Sequence, residues 1–286
     1  MFERWTRSWL LVKASARVLL LDRQLLVFPL ISSLAAIVVA ACFILPVFGL
    51  GMLDGLSEHG YDHQSPVLYS VGFLFYVCMY FVIFFFNAAL VGAVMIRFDG
   101  GTPTVGDGLR IASSKIGTIL GYAVIAATVG MILRIIQERV GFVGKIIAGL
   151  LGAGWTIATY LVVPVLVARD VGPFDAVKES ATLLKQTWGE NVVGRGGIGA
   201  AFFLVHLVLI ACGLGIIFVA AMSGSVALIA IAAVVVVLAF MFSALVHAAL
   251  SGIYSAALYR YAAGGAGSNG FDSEAMQMAF APKKKK

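Results

Sequence analysis

Charge is what this sequence has least of. Only 12% of its 286 residues are Asp, Glu, Lys or Arg, while 61% are hydrophobic. Soluble domains carry roughly twice that charge. No soluble fold hides so much apolar surface, because its outside must be wettable. The solvent for most of this chain is therefore lipid. The polar stretches are too short to form a separate soluble domain. Cysteine is scarce as well. Cys42, Cys78 and Cys212 all lie inside apolar runs. An odd count in such positions argues against a disulfide framework and reads as small buried hydrophobes.

Catalytic signatures are missing too. There is no Gly-x-Ser-x-Gly elbow, no phosphate loop and no His-Glu-x-x-His pair. No cysteine and histidine spacing resembles a zinc site. Arg97-Phe98-Asp99-Gly100-Gly101 has a glycine pair but nothing else of the dinucleotide fingerprint, and reads as a turn before Pro103. Asp170 and Asp175 are too exposed by context to nominate as a catalytic pair. The expectation is a protein without enzymatic activity, cofactor or metal. Alternating polarity is absent, which excludes a β-barrel.

What is present is long apolar runs. A spanning helix needs about 20 such residues. Six runs qualify, over 25–49, 67–96, 116–135, 143–168, 197–221 and 226–259. Stretches such as 81–86 (FVIFFF) and 234–237 (VVVV) favour strands by propensity. In lipid the backbone must satisfy its own hydrogen bonds, and that favours a helix. The fold class expected is an all-α bundle of six spans with in-plane helices on one face.

The net charge of +6 comes from 20 Lys and Arg against 14 Asp and Glu. In a soluble protein it would point to nucleic acid; here the placement of the charges explains it, and no nucleic acid is expected. Segments 1–26, 97–115, 169–195 and 250–286 hold 17 of the basic residues. The other three, Arg134, Arg139 and Lys145, sit in one loop. Basic loops stay inside. Both termini are thus expected in the cytoplasm, in a plasma or inner membrane. The first outer loop is acidic, with Asp54, Glu58 and Asp62 beside His59 and His63. The 134–145 loop is the weak point, since a re-entrant hairpin of spans three and four would place its basic residues differently. Val39-Ala40-Ala41-Cys42 fits a lipoprotein cleavage box, but the apolar run continues to about Leu50, which speaks against cleavage.

The inner segments carry a pattern. Phe2, Trp5, Trp9, Val12, Ala16 and Leu19 fall at helical spacing, with Arg4, Arg7, Lys13 and Arg17 largely off that stripe. Such a helix lies at the headgroup level against an anionic leaflet. The design recurs after span four. Pro173 opens a helix, Phe174, Val177, Ala181, Leu184 and Trp188 form its stripe, Lys178 and Lys185 are on the wet side, and Gly189 is a plausible stop. A weaker copy has Thr102 as cap, then Val105, Leu109, Ala112 and Ile116. Residues 1–262 thus read as one membrane domain of three units, 1–96, 97–169 and 170–260, each an in-plane helix followed by a hairpin. The alternative is that any connection beside lipid becomes amphipathic. Residues 263–286 read as a flexible tail ending in four lysines, Lys283 to Lys286.

Ala244, Ala248, Gly252 and Ala256 recur at steps of four in span six, a packing stripe. Pro29, Pro46 and Pro164 lie near span ends, and none marks a central break. The intramembrane polar candidates are Asn87, His206 and His247. Two histidines can relay a proton. The spans offer no carboxylate to partner them, so hydrogen bonding between helices is the plainer role.

FERWTRSW, LVKASARVLL and LDRQLLVFPL, with the Phe28-Pro29 pair, resemble a family of prokaryotic six-pass membrane proteins of unknown function. The likeness continues through Pro173 to Trp188 and covers most of residues 1–260. It implies a plasma or inner membrane protein and leaves the activity open. Two functions follow as expectations. One is a membrane-organising or accessory subunit, binding lipid or a partner protein through Arg4, Trp5, Arg7, Trp9, Lys13, Arg17, Phe174, Lys178, Lys185 and Trp188. The other is a small carrier or channel for a solute or lipid. The small-residue faces leave association with a second copy open.

Overall fold

The computed structural model describes residues 15–49, 66–186 and 188–264, and the structural statements below concern these. Helices account for nearly all of them, and among the described residues there is no strand. Residues 15–21 are helical (α1). A 3-10 turn at Arg23–Leu26 leads into α2 (Val27–Gly49). Then come α3 (Pro66–Phe98), α4 (Val105–Ser114) and α5 (Ile116–Arg139). They are followed by α6 (Phe142–Ala158), α7 (Val162–Ala168) and α8 (Pro173–Gln186). Two long helices close the chain, α9 (Trp188–Met222) and α10 (Val226–Ala262).

Six stretches are long and apolar enough to cross a bilayer: Arg23–Pro46, Tyr69–Phe98, Ile116–Arg139, Gly144–Ala168, Ile198–Met222 and Val226–Ala262. They fall where the hydropathy places them. The protein is an all-α membrane bundle that crosses the bilayer several times.

The core gathers at one end. Ala88, Ala89, Val91 and Val94 of α3 are fully buried. Against them lie Leu25 and Phe28 before and in α2, Val162 and Val165 of α7, and Ile253, Tyr254 and Ala256 of α10. α3 is terminated by Gly100, whose φ of +87° suits glycine. The Gly101 amide donates to the Ile96 carbonyl and the Gly100 amide to that of Arg97, a Schellman close. The turn sends α4 back onto α3. There Gly108 faces the Ala89 carbonyl and the Phe28 ring, and an added Cβ would sit 2.5 and 2.6 Å from them.

Four ion pairs stitch different segments together at this same end. Arg97 meets Asp22 at 3.0 Å, Lys115 meets Asp170 at 3.0 Å, Arg169 meets Glu179 at 2.9 Å, and Arg260 meets Asp99. Arg169 Nε also donates to the Tyr259 hydroxyl at 3.3 Å. That bond, with Glu179 nearby, holds the Arg169 guanidinium above its ordinary pKa, so it stays charged. At the other end Arg134 pairs with Glu138 of its own helix, at 2.8 Å, and donates to the Tyr76 hydroxyl at 3.0 Å.

Several local expectations need correction. Span four is not continuous: a turn at 159–161 separates α6 from α7. Pro164 is the cause, because it lacks an N–H and its ring crowds the carbonyl of Tyr160 four residues back. The cap of α4 is Thr104, not Thr102. Thr104 Oγ1 accepts from the Asp107 amide, and the Asp107 carboxylate accepts from the Thr104 amide, a closed capping box. Ile116 belongs to α5 and is exposed. Gly189 does not stop a helix, since it lies inside α9. Glycine costs a helix only about 1 kcal/mol, which lipid overrides.

Candidate functional site

A polar cleft of about 440 Å³ lies within the bundle, walled by α2, α3, α5, α6, α7 and α10 and by the turn of span four. Six of its side chains can hydrogen-bond through amide or aliphatic hydroxyl groups: Ser32, Asn87, Thr156, Thr159, Ser251 and Ser255. Aromatic rings fill the spaces between, from Tyr80, Phe84, Tyr122, Trp155 and Tyr160. None of the described residues lining the cleft is Asp, Glu, Lys, Arg or His. An ion entering it would find no opposite charge, and an unpaired ion in such a place is costly.

Local sequence explains how these groups arrive. Tyr76, Tyr80 and Phe84 recur every fourth residue on α3, so their rings form one column. Tyr76 stacks on Tyr80 at 6.3 Å, Tyr80 on Phe84 at 5.5 Å, and Phe84 on Tyr122 of α5 at 4.5 Å. The column runs from Arg134 at the far end down to the cleft. Gly252 lets α10 approach α3, since an added Cβ would collide with Leu90 and sit 3.3 Å from Asn87 Oδ1. Ser251 and Ser255 flank that contact and open onto the cleft. The break in span four supplies Thr159 and Tyr160. Thr159 Oγ1 donates to the Trp155 carbonyl at 2.8 Å.

The ends of that break are held from outside the span. Ser180 of α8 donates to the Ala158 carbonyl at 2.7 Å and accepts from the Leu161 amide at 3.0 Å. Ser180 is completely buried, and Ala176, Leu183 and Leu184 share its face. The apolar stripe read from sequence is therefore rotated. Phe174, its first member, points away and is 68% exposed. Lys178 and Lys185 are exposed, and Lys178 lies 3.6 Å from Asp175. Trp188 begins α9 instead of ending α8. Arg17 is exposed on α1. Arg4, Trp5, Arg7, Trp9 and Lys13 lie outside the described residues, as do the acidic loop at 54–63 and the lysine tail.

Of the intramembrane candidates, Asn87 lines the cleft and the histidines do not. His206 and His247 sit between α9 and α10. His206 Nδ1 lies 2.7 Å from the Phe202 carbonyl and its Nε2 lies 3.5 Å from Ser243 Oγ. Phe202 stacks on His247 at 4.6 Å, and Phe240 on His206 at 5.7 Å. The pair belongs to a local aromatic stack within one hairpin. The small-residue stripe of α10 divides as well. Gly252 and Ala256 are buried, Ala248 lines the cleft, and Ala244 is exposed. Cys42, Cys78 and Cys212 are free thiols. Among the described residues no group of three metal-ligating side chains exists.

Sequence reasoning missed Tyr80, Tyr122, Trp155, Thr159, Ser251 and Ser255. Two signals pointed there: the four-residue aromatic spacing on α3, and Pro164 within span four, where a proline interrupts the helix.

Six apolar spans, five of which wall an uncharged polar cleft, define the class, a multi-pass membrane protein. The model for "Family of unknown function (DUF6159)" matches residues 67–271, and the chain belongs to that family. The match takes in Pro173 to Trp188 and begins after Phe28-Pro29 and the opening strings. No curated protein and no solved structure matches the chain.

Proposed function

We propose that the protein is a non-enzymatic membrane protein that takes an uncharged amphiphile into its polar cleft and passes it between the bilayer and the ionic end. The observation that carries this is the lining itself. Hydroxyl and amide groups lie among aromatic rings, and none of the described lining residues is ionised. A ligand with hydroxyl or amide groups satisfies the polar side chains, while its ring or chain stacks on the aromatic walls. A charged lipid or metabolite would be desolvated without compensation. The basic residues of the ionic end support a cytoplasmic orientation for it, and the proposal takes the membrane to be a plasma or inner membrane.

Trp155 provides the test. In a variant with Trp5, Trp9 and Trp188 changed to Phe, it is the remaining tryptophan. A brominated fatty alcohol titrated into nanodiscs should quench its fluorescence saturably, and the matched brominated fatty acid should not. Asn87→Leu should weaken the alcohol about threefold to tenfold, the size of one lost hydrogen bond. Equal quenching by alcohol and acid, or no effect of Asn87→Leu, would reject the proposal.

A second reading is favoured by Phe174, a large apolar side chain left exposed beside Lys178. Such a face suits an anionic leaflet or a partner protein, as a membrane-organising subunit requires. Binding of Phe174→Glu to vesicles with and without anionic lipid decides it. Unchanged binding would remove this reading.

A further inference from the structure

The gap in span four is bridged by one side chain that does not belong to the span. In an unbroken helix the Ala158 carbonyl would accept from Val162, and the Leu161 amide would donate to Ile157. Here Val162 N–H turns instead to the Thr159 carbonyl at 3.1 Å. The two groups left over both meet Ser180 Oγ, one as acceptor and one as donor. A hydroxyl can do both at once, which alanine or valine cannot. On the other side of the same turn, Thr159 and Tyr160 face the cleft.

We propose that α8 is a latch on the cleft: Ser180 holds the gap of span four in the arrangement that aims Thr159 and Tyr160 inward, and withdrawal of α8 opens the cleft to water at the ionic end. This rests on the reading of the cleft as a ligand site. The physical ground is that the two backbone groups have nothing else to bond. Removing Ser180 orphans a carbonyl and an amide inside an apolar bundle, where an unpaired backbone group is costly. The segment then rearranges or admits water, so it has two discrete arrangements instead of a continuum. α8 is suited to move as a unit. Its inner face carries Ala176, Ser180, Leu183 and Leu184, and Glu179 ties it to Arg169 at 2.9 Å. Its outer face is open, with Phe174 and Lys178 exposed. Whatever binds that outer face pulls on the gap through Ser180.

Thiol labelling tests this on the full chain in lipid vesicles. Cys42, Cys78 and Cys212 are changed to Ala, Thr159→Cys is the reporter, and a membrane-impermeant maleimide is the probe. Ser180→Ala should speed labelling of the reporter about tenfold, and Ser180→Thr, which keeps the hydroxyl, should restore the slow rate. A second reporter, Gly149→Cys on α6, should be unaffected, because no other side chain lies within 4 Å of an added Cβ there. An unchanged rate in Ser180→Ala, or an equal rise at both reporters, overturns the latch. Should Ser180→Ala not fold, Glu179→Gln loosens α8 while keeping the hydroxyl; it should speed labelling about threefold, and no change overturns the proposal. Labelling needs no amphiphile. A cleft that opens on cue yet leaves Trp155 unquenched refutes the proposed ligand and not the latch.

Discussion

The two halves of α10 have opposite fates, and the more apolar half is the one left exposed. From Ala249 to Tyr259 almost every residue is buried, with only Ser251 intermediate. From Val226 to Phe242 most residues are exposed or intermediate, and Val234, Val235, Val237 and Leu238 are all more than half exposed. Both halves are rich in alanine and apolar side chains. The buried half contains Gly252 and faces α3, while the exposed half packs chiefly on α9. Lipid tails are as apolar as leucine, so hydrophobicity alone does not bring helices together in a bilayer. Close fit and polar contacts do. The ion pairs repeat the contrast. At the packed end they join separate segments, whereas Arg134–Glu138 at the far end closes within one helix. Such pairs are each worth about 0–1 kcal/mol, so their effect is to set register more than to add stability.

The largest expected effect tests the fit of the packed end. Gly108→Ala places a methyl against the Ala89 carbonyl, a backbone atom that cannot step aside, and should cost about 1–3 kcal/mol. Gly149→Ala, with open space around it inside α6, should be neutral or stabilise by up to about 1 kcal/mol. Thermal unfolding of both in the same nanodiscs reads the difference, and equal losses would erase the contrast between packed and lipid-facing surfaces.

Next in size is the hairpin. His206→Leu removes a ring stacked on Phe240 and the contact with Ser243, and should cost about 1 kcal/mol. It should leave quenching of Trp155 by the brominated alcohol unchanged, since neither histidine lines the cleft. A loss of ligand binding in His206→Leu would join the two regions that the structure separates.

The smallest effect is pH dependent. The Thr104 hydroxyl, then the Thr104 amide, hold the Asp107 carboxyl below its ordinary value. A carboxylate lowered in the folded state stabilises fully above its unfolded pKa of 3.8 and loses that contribution as pH falls through the lower folded value. Amide protection in the first turn of α4, taken relative to the intrinsic exchange rate at each pH, should therefore fall as the medium is acidified below about pH 4. In Asp107→Asn protection should be low throughout and flat with pH. A slope that survives in Asp107→Asn would place the titration elsewhere.

The spans were legible because each is a run of apolar residues long enough to cross, and the need to satisfy the backbone in lipid then leaves only helix. The turn at Gly100 was legible for a similar reason, since glycine pairs are the residues that tolerate left-handed closure. Asn87 stood out as an amide in an apolar run. The cleft around it did not, because its wall comes from segments as distant as Ser32 and Ser255, and no local pattern encodes their meeting. His206 and His247 stood beside Asn87 as intramembrane polar residues, yet they stack on Phe240 and Phe202 between α9 and α10 and do not line the cleft that Asn87 lines. The face of α8 was read one step out of phase because apolar spacing marks a stripe but not its neighbour. With span four on one side and open surface on the other, the small Ala176 and Ser180 go inward and Phe174 goes out.

By itself, then, the sequence determined that this chain is helical, membrane-embedded and crosses several times, since those properties depend on local composition and the solvent it demands. Only the tertiary structure decided which apolar surfaces meet each other and which meet lipid, where span four parts, and that a serine from a surface helix closes the parting. Those outcomes turn on shape and on unmatched hydrogen-bonding groups brought together from distant positions, and neither quantity is carried by hydropathy.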